Sequence, residues 1–147
     1  MEKAIIGGTG VYDVGEETYI KVVNTEYGEV QVEVVKVKGE EIVFLPRHGK
    51  GHSVPPHLIN YRANMKALSE LGVKYIYATV AVGSMNENYV PGDIVVISDF
   101  IDFTKSRPMT FYEGGEEGVI HTDMSDPYCK NLRNVFYRMA ERENTQI

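Results

Sequence analysis

The chain has 147 residues, 43% of them apolar, which is the size of one domain with enough apolar content for a buried core. Its net charge is −6 and its fifteen Lys and Arg are scattered, so neither nucleic acid nor a membrane surface is the expected partner. One cysteine, Cys129, rules out an intrachain disulfide, and the start MEKAIIGG shows no signal-peptide core, so a cytoplasmic setting is expected.

Lys3–Ile6 reads as a short strand that runs into Gly7-Gly8-Thr9-Gly10. Val22–Thr25 and Val30–Lys38 read as strands around a turn at Gly28; Val30, Val32, Val34 and Lys36 fall on one face of the second, Val35 and Val37 on the other. A turn at Lys38-Gly39-Glu40 leads to a strand at Glu41–Leu45, which ends at Pro46-Arg47-His48-Gly49. Ser53 to Pro56 carries a helix-start signal. Ile59, Ala63, Ala67 and Leu71 follow at helical spacing, with Gly72 placed as the C-terminal cap glycine. Val73–Val82 predicts a buried strand ending at Gly83-Ser84, and Ile94–Phe100 predicts another after the turn at Pro91-Gly92-Asp93. The stretch from Asp102 to Thr122 is polar and loop-like. Asp126-Pro127 predicts the start of a last helix, with Leu132, Val135, Phe136, Met139 and Ala140 as its apolar stripe. Strands alternating with helices predict an α/β domain with a largely buried sheet.

Three strand ends carry residues suited to an anion. The glycines of Gly7-Gly8-Thr9-Gly10 let backbone N–H groups approach a ligand, and the Thr9 hydroxyl adds a donor. The motif is not a dinucleotide fingerprint, since the third glycine would fall at Asp13, and no Gly-Lys-Ser/Thr follows to make a Walker loop. A tight turn after the first strand is the plain alternative. Arg47 offers a bidentate fork to phosphate with His48 beside it, at a strand end, where open α/β sheets bind ligands; a surface Arg and a structural His would look the same. Small residues at Thr79–Ser84 leave room for a ligand, as would any buried strand meeting a turn. His48, His52 and His57 could suggest a metal, but no HExxH glutamate or cysteine pair accompanies them. Asp99, Asp102, Arg107 and His121 are polar candidates with no partner legible in sequence.

Taken in order, these segments resemble the family of 5′-methylthioadenosine phosphorylases and trimeric purine nucleoside phosphorylases. The resemblance rests on Ile5 to Tyr12, on Phe44-Leu45-Pro46-Arg47-His48-Gly49-Lys50-Gly51-His52 and on Pro56-His57-Leu58-Ile59-Asn60-Tyr61-Arg62-Ala63-Asn64. It continues through Ala81-Val82-Gly83-Ser84, Pro91-Gly92-Asp93, Phe100 to Thr104, Arg107-Pro108-Met109-Thr110-Phe111 and Asp126-Pro127-Tyr128-Cys129. The wording after Arg107 is closer to the methylthioadenosine branch.

The resemblance implies a mixed, mostly buried central sheet flanked by helices, truncated at its C-terminal side, as one phosphorylase-like domain over residues 1–147. It implies phosphorolysis of 5′-methylthioadenosine to adenine and 5-methylthioribose 1-phosphate, with inosine, guanosine or methylthioinosine as alternative substrates. Thr9, Arg47, His48 and the backbone at Val80 and Ala81 would hold phosphate. Ala81 would also line the sugar, and His121 would reach a neighbouring subunit's site in a homotrimer or larger homo-oligomer. No metal or organic cofactor is implied; inorganic phosphate is the co-substrate.

Two departures stand out. Val80 replaces the Thr or Asn of much of the family, which loses a donor worth about 0.5–1.5 kcal/mol. The family's Glu-Gly-Pro-Arg-Phe segment, its Met-Thr pair under the sugar and the Asp that assists the leaving purine have no counterpart here, so no catalytic acid is expected in this chain. That absence leaves open a non-catalytic phosphate-binding or assembly module, or a truncated fragment.

Overall fold

The computed structural model describes residues 1–8, 10–11 and 17–147. They divide into two compact units, Met1–Val82 with Ser106–Phe111, and Gly83–Lys105 with Tyr112–Ile147.

The first unit holds a five-stranded mixed sheet, so the fold is α/β as expected. Its strands are β1 (Lys3–Gly7), β2 (Glu17–Thr25), β3 (Gly28–Val37), β4 (Glu40–Pro46) and β5 (Tyr75–Ala78). The order across the sheet is β2-β3-β4-β1-β5. β2, β3 and β4 run antiparallel, and β1 lies parallel to both β4 and β5. Between β3 and β4 the chain turns on Lys38 (φ 51°) and Gly39 (φ 85°). Two successive positive φ values make a type I′ turn, whose twist matches the flanking strands, and glycine takes the second at no steric cost.

One sheet face packs on α1 (Tyr61–Glu70). Ala4, Val23, Val30, Val32, Val43 and Leu45 of the sheet form one core with Ala63, Ala67 and Leu68 of the helix. Alanines four residues apart let the helix axis approach the sheet closely, and Leu68 fills the remaining space. On the opposite face Ile20 and Val22 of β2 are 54% and 47% exposed, whereas Val35 and Phe44 are fully buried. Hence Val43, Phe44 and Leu45 are buried in succession, the pattern of a strand covered on both sides.

The start of α1 departs from expectation. Ser53–Pro56 does not begin it, because a residue before proline is driven into extended backbone. Pro56–Leu58 forms one 3₁₀ turn, Ile59 is extended, and the helix begins at Tyr61. Ile59 lies outside the helix but is still buried. Asn60 is the N-cap: its Oδ1 accepts from Ala63 N–H at 3.0 Å, while its Nδ2 donates to the Tyr27 carbonyl at 2.7 Å. One side chain thus caps the helix and ties it to the β2–β3 turn. At the other end Gly72 (φ 77°) sits where expected, with Gly72 N–H donating to Ser69 O and Val73 N–H to Leu68 O, a Schellman cap.

The second unit has less regular structure. Ile94–Phe100 is not a strand: Ile94, Val95 and Ile97 are 43–52% exposed. Strand propensity does not make a strand without a ladder partner, and the described residues provide none here. Asp126-Pro127 does not open the last helix either. The helix, α2 (Lys130–Arg142), starts four residues later with Cys129 at its N-cap and no side-chain cap. Asp126 instead pairs with Lys130 Nζ at 3.1 Å and Arg133 Nη2 at 3.4 Å. Of the expected stripe Ala140 is buried, whereas Val135 and Met139 are exposed. No helix among the described residues is long and apolar enough to cross a membrane.

Candidate functional site: three strand ends

β1 sits between β4 and β5, and all three point the same way. The chain leaves β1 to one side to build β2–β4, then crosses by α1 to β5 on the other. This reversal of direction opens a crevice at the C-terminal strand ends, the position where α/β sheets bind ligands. Gly8, Arg47 and Thr79 are each the first residue beyond their strands.

These three are wired together. Gly8 N–H donates to Thr79 Oγ1 at 3.2 Å, and Arg47 Nη1 donates to the Thr79 carbonyl at 3.3 Å. Arg47 N–H donates to Gly7 O at 3.1 Å, and Thr79 N–H donates to Ile6 O at 2.9 Å, which extends both parallel ladders by one step. The guanidinium is half-buried and held at one corner, with donors that no described residue engages. Gly8 has to be glycine for space: a Cβ there would lie 2.5 Å from the Thr79 carbonyl oxygen and 2.8 Å from Arg47 Nη2. At Gly7 a Cβ would lie 2.6 Å from the Phe44 ring.

His48 is buried, the one buried polar or charged side chain among the described residues. Its Nδ1 is 3.0 Å from the Val54 carbonyl, and its ring lies against His52 with centroids 4.4 Å apart and planes tilted by 39°. A cleft of about 450 Å³ runs beside this loop, with Glu33, Arg47, Lys50, Ser53, Asn60 and Asn64 among the residues lining it. Among the described residues no group of three His, Cys, Asp or Glu gathers to hold a metal.

The predicted site residues fare differently. Arg47 comes together with the glycine turn and with the end of β5, and His48 follows it in the chain. Val80 and Ala81 follow Thr79 directly, their backbone leaving the sheet beside the Arg47 corner; Val80 is 59% exposed. Thr9 lies outside the described residues. His121 is exposed and belongs to the second unit. Thr79, read from the sequence only as one of the small residues at a strand end, has a hydroxyl and a carbonyl that bind the other two strand ends. Its signal was a hydroxyl residue at the close of an apolar strand. Arg107 also finds a place: Ser106–Phe111 belongs to the first unit, with Arg107 5.1 Å above the Tyr61 ring and Phe111 edge-on to Tyr27 at 5.7 Å.

The model of the phosphorylase superfamily matches residues 2–147. The chain belongs to the phosphorylase superfamily. It is 54% identical over 144 residues to a probable 6-oxopurine nucleoside phosphorylase of Moorella thermoacetica, covering 97% of this chain and 55% of that protein. It is 49% identical over 145 residues to S-methyl-5′-thioadenosine phosphorylase of Pyrococcus horikoshii, covering 97% and 56%. Methylthioadenosine phosphorylase from Schistosoma mansoni in complex with adenine superposes with a TM-score of 0.88 at 38% identity, over 97% of this chain and 54% of that one. The chain thus spans about half the length of the curated relatives it matches. The superfamily's fold agrees with the α/β class read from the sequence, and its members make this a chain of a pentosyltransferase enzyme family.

Proposed function

We propose that the crevice between β4, β1 and β5 is the phosphate side of a purine nucleoside phosphorylase site, and that the nucleoside is 5′-methylthioadenosine. The observation that carries this reading is the Gly8–Thr79–Arg47 corner, where a glycine turn and a guanidinium meet at the switch point of the sheet. Arg47 binds phosphate through the donors that Thr79 does not engage, His48 and the Val80–Ala81 backbone border the anion, and the Thr9 hydroxyl adds a donor. Phosphate attacks C1′ of the ribose as the purine leaves. Held on one face, it stabilises the positive charge that develops on the sugar, and its positioning supplies much of the remaining acceleration. No metal or organic cofactor enters this scheme. The purine-side acid is supplied from outside residues 1–147, and His121 serves a neighbouring subunit in a homo-oligomer.

A second substrate class has its own support. Relatives named for 6-oxopurine nucleosides are 53–54% identical, and those named for methylthioadenosine 49–51%. The Arg107-Pro108-Met109-Thr110-Phe111 wording favours methylthioadenosine. The test is phosphorolysis by the purified chain of methylthioadenosine and inosine in parallel, followed by base release. Faster release of adenine supports the reading; faster release of hypoxanthine transfers it to the 6-oxopurine class. No release from either, with phosphate still bound, reduces it to a phosphate-binding module.

A further inference from the structure

The loop after β4 is folded around His48 by reciprocal hydrogen bonds. Val54 N–H donates to the His48 carbonyl at 2.7 Å, and the Val54 carbonyl faces His48 Nδ1 at 3.0 Å. Gly49 N–H donates to Pro46 O and His52 N–H to Gly49 O, which closes the loop internally. The path needs positive φ at Gly49 (72°), Gly51 (70°) and even His52 (60°). A Cβ at Gly49 would sit 2.9 Å from Ser53 Oγ and 3.2 Å from Val54 Cγ2. Positive φ at a non-glycine residue is unfavourable, so the fold spends backbone strain to deliver one carbonyl to one ring nitrogen.

That carbonyl decides the chemistry of the ring. A carbonyl oxygen only accepts, so Nδ1 carries the proton, and in the neutral imidazole Nε2 is then a lone-pair acceptor. Among the described residues the charged and titratable groups around the loop are Arg47 and Lys50 within it, Glu29 and Glu33 of β3, and the tilted His52 ring. We propose that the Gly49–Val54 loop is a tautomer lock that makes His48 a hydrogen-bond acceptor at Nε2, so that the site selects an oxyanion bearing a proton over one that bears none. This rests on the phosphate reading above. Inorganic phosphate in neutral and mildly basic water keeps at least one P–O–H, which donates to Nε2 while Arg47 binds the unprotonated oxygens. Sulfate has the same shape but no proton to give, and it would set an oxygen lone pair against the nitrogen lone pair.

The experiment has two readouts on the full chain. Long-range ¹⁵N–¹H correlation at a pH roughly two units above histidine's ordinary value of about 6.5 separates the two neutral tautomers, with His48 assigned by difference from a His48→Asn variant. Titration with inorganic phosphate and with sulfate gives the affinity ratio. The Asn side chain keeps a donor for the Val54 carbonyl and has no atom at the Nε2 position to accept there. The expected result is an Nδ1–H ring, phosphate preferred over sulfate by about tenfold or more, and a ratio that collapses in His48→Asn through loss of phosphate affinity alone. An Nε2–H or doubly protonated ring overturns the lock. Equal affinities, or a parallel loss of both anions in the variant, overturn the acceptor role. An Nδ1–H ring in a chain that binds neither anion overturns the phosphate reading itself and leaves the lock as a structural device.

Discussion

Substitution of Gly8 by alanine isolates the wiring of the three strand ends. The new methyl group would meet the Thr79 carbonyl oxygen at 2.5 Å and Arg47 Nη2 at 2.8 Å. The guanidinium can swing away. The carbonyl cannot, because Thr79 is fixed by its own N–H to Ile6 O. The strand ends therefore separate, or Gly8 rotates and gives up its bond to Thr79 Oγ1. Inserting one methyl into a close-packed position costs about 1–3 kcal/mol, which for a chain of this size lowers the melting temperature by about 2–12 °C. Because Arg47 Nη2 is displaced as well, phosphate affinity falls together with stability. Gly39→Ala is the control: its φ of 85° strains an alanine, but nothing lies within 4 Å of the new Cβ. It should cost about 1 kcal/mol and leave phosphate binding intact. Thermal denaturation with and without phosphate reads both effects. A Gly8→Ala chain that melts and binds like the parent would refute the packing argument.

Three further outcomes follow from the same structure. Asn60→Ala removes both the N-cap of α1 and the tie to Tyr27, and should cost about 1–3 kcal/mol in urea denaturation; a loss below a few tenths would show that the double bond is idle. Leu68→Ala, in the centre of the α1–sheet core, should cost about 2–5 kcal/mol, and a change under 1 kcal/mol would mean that the helix does not pack as described. In the second unit, Asp123 accepts from the Ser125 hydroxyl at 2.6 Å and from its backbone N–H at 2.9 Å, and these bonds hold its carboxyl below the usual aspartate range. A lowered folded-state pKa stabilises above the unfolded value, and the contribution is lost as pH falls through the folded one. NMR titration should show Ser125→Ala moving Asp123 upward, and no movement would contradict the assignment.

Much of the first unit was legible in the sequence because its signals are local. Val30, Val32 and Val34 alternate, Lys38-Gly39 marks a hairpin, and Gly72 marks a helix end. The misread elements depended on something non-local. The Ser53–Pro56 signal lost to the extended backbone that consecutive prolines impose, so the cap moved to Asn60, whose second bond reaches a turn 33 residues away. Ile94–Phe100 has strand propensity but no ladder. Asp126 looked like a cap and became an ion-pair partner. In the site, Arg47 and the glycine turn were readable as anion-binding chemistry, yet nothing in a linear sequence brings Thr79 into hydrogen bonds with both. That required the order β4-β1-β5.

The central claim is that Arg47, held at the junction of three strand ends, makes this crevice a phosphate site. Calorimetric titration of the chain and of Arg47→Ala with inorganic phosphate, with circular dichroism on both, tests it directly. The account predicts saturable binding by the parent, and a loss of about tenfold or more in a variant that keeps its fold, the weight of one charge-assisted bond or more. Equal phosphate affinity in the two folded chains would contradict it.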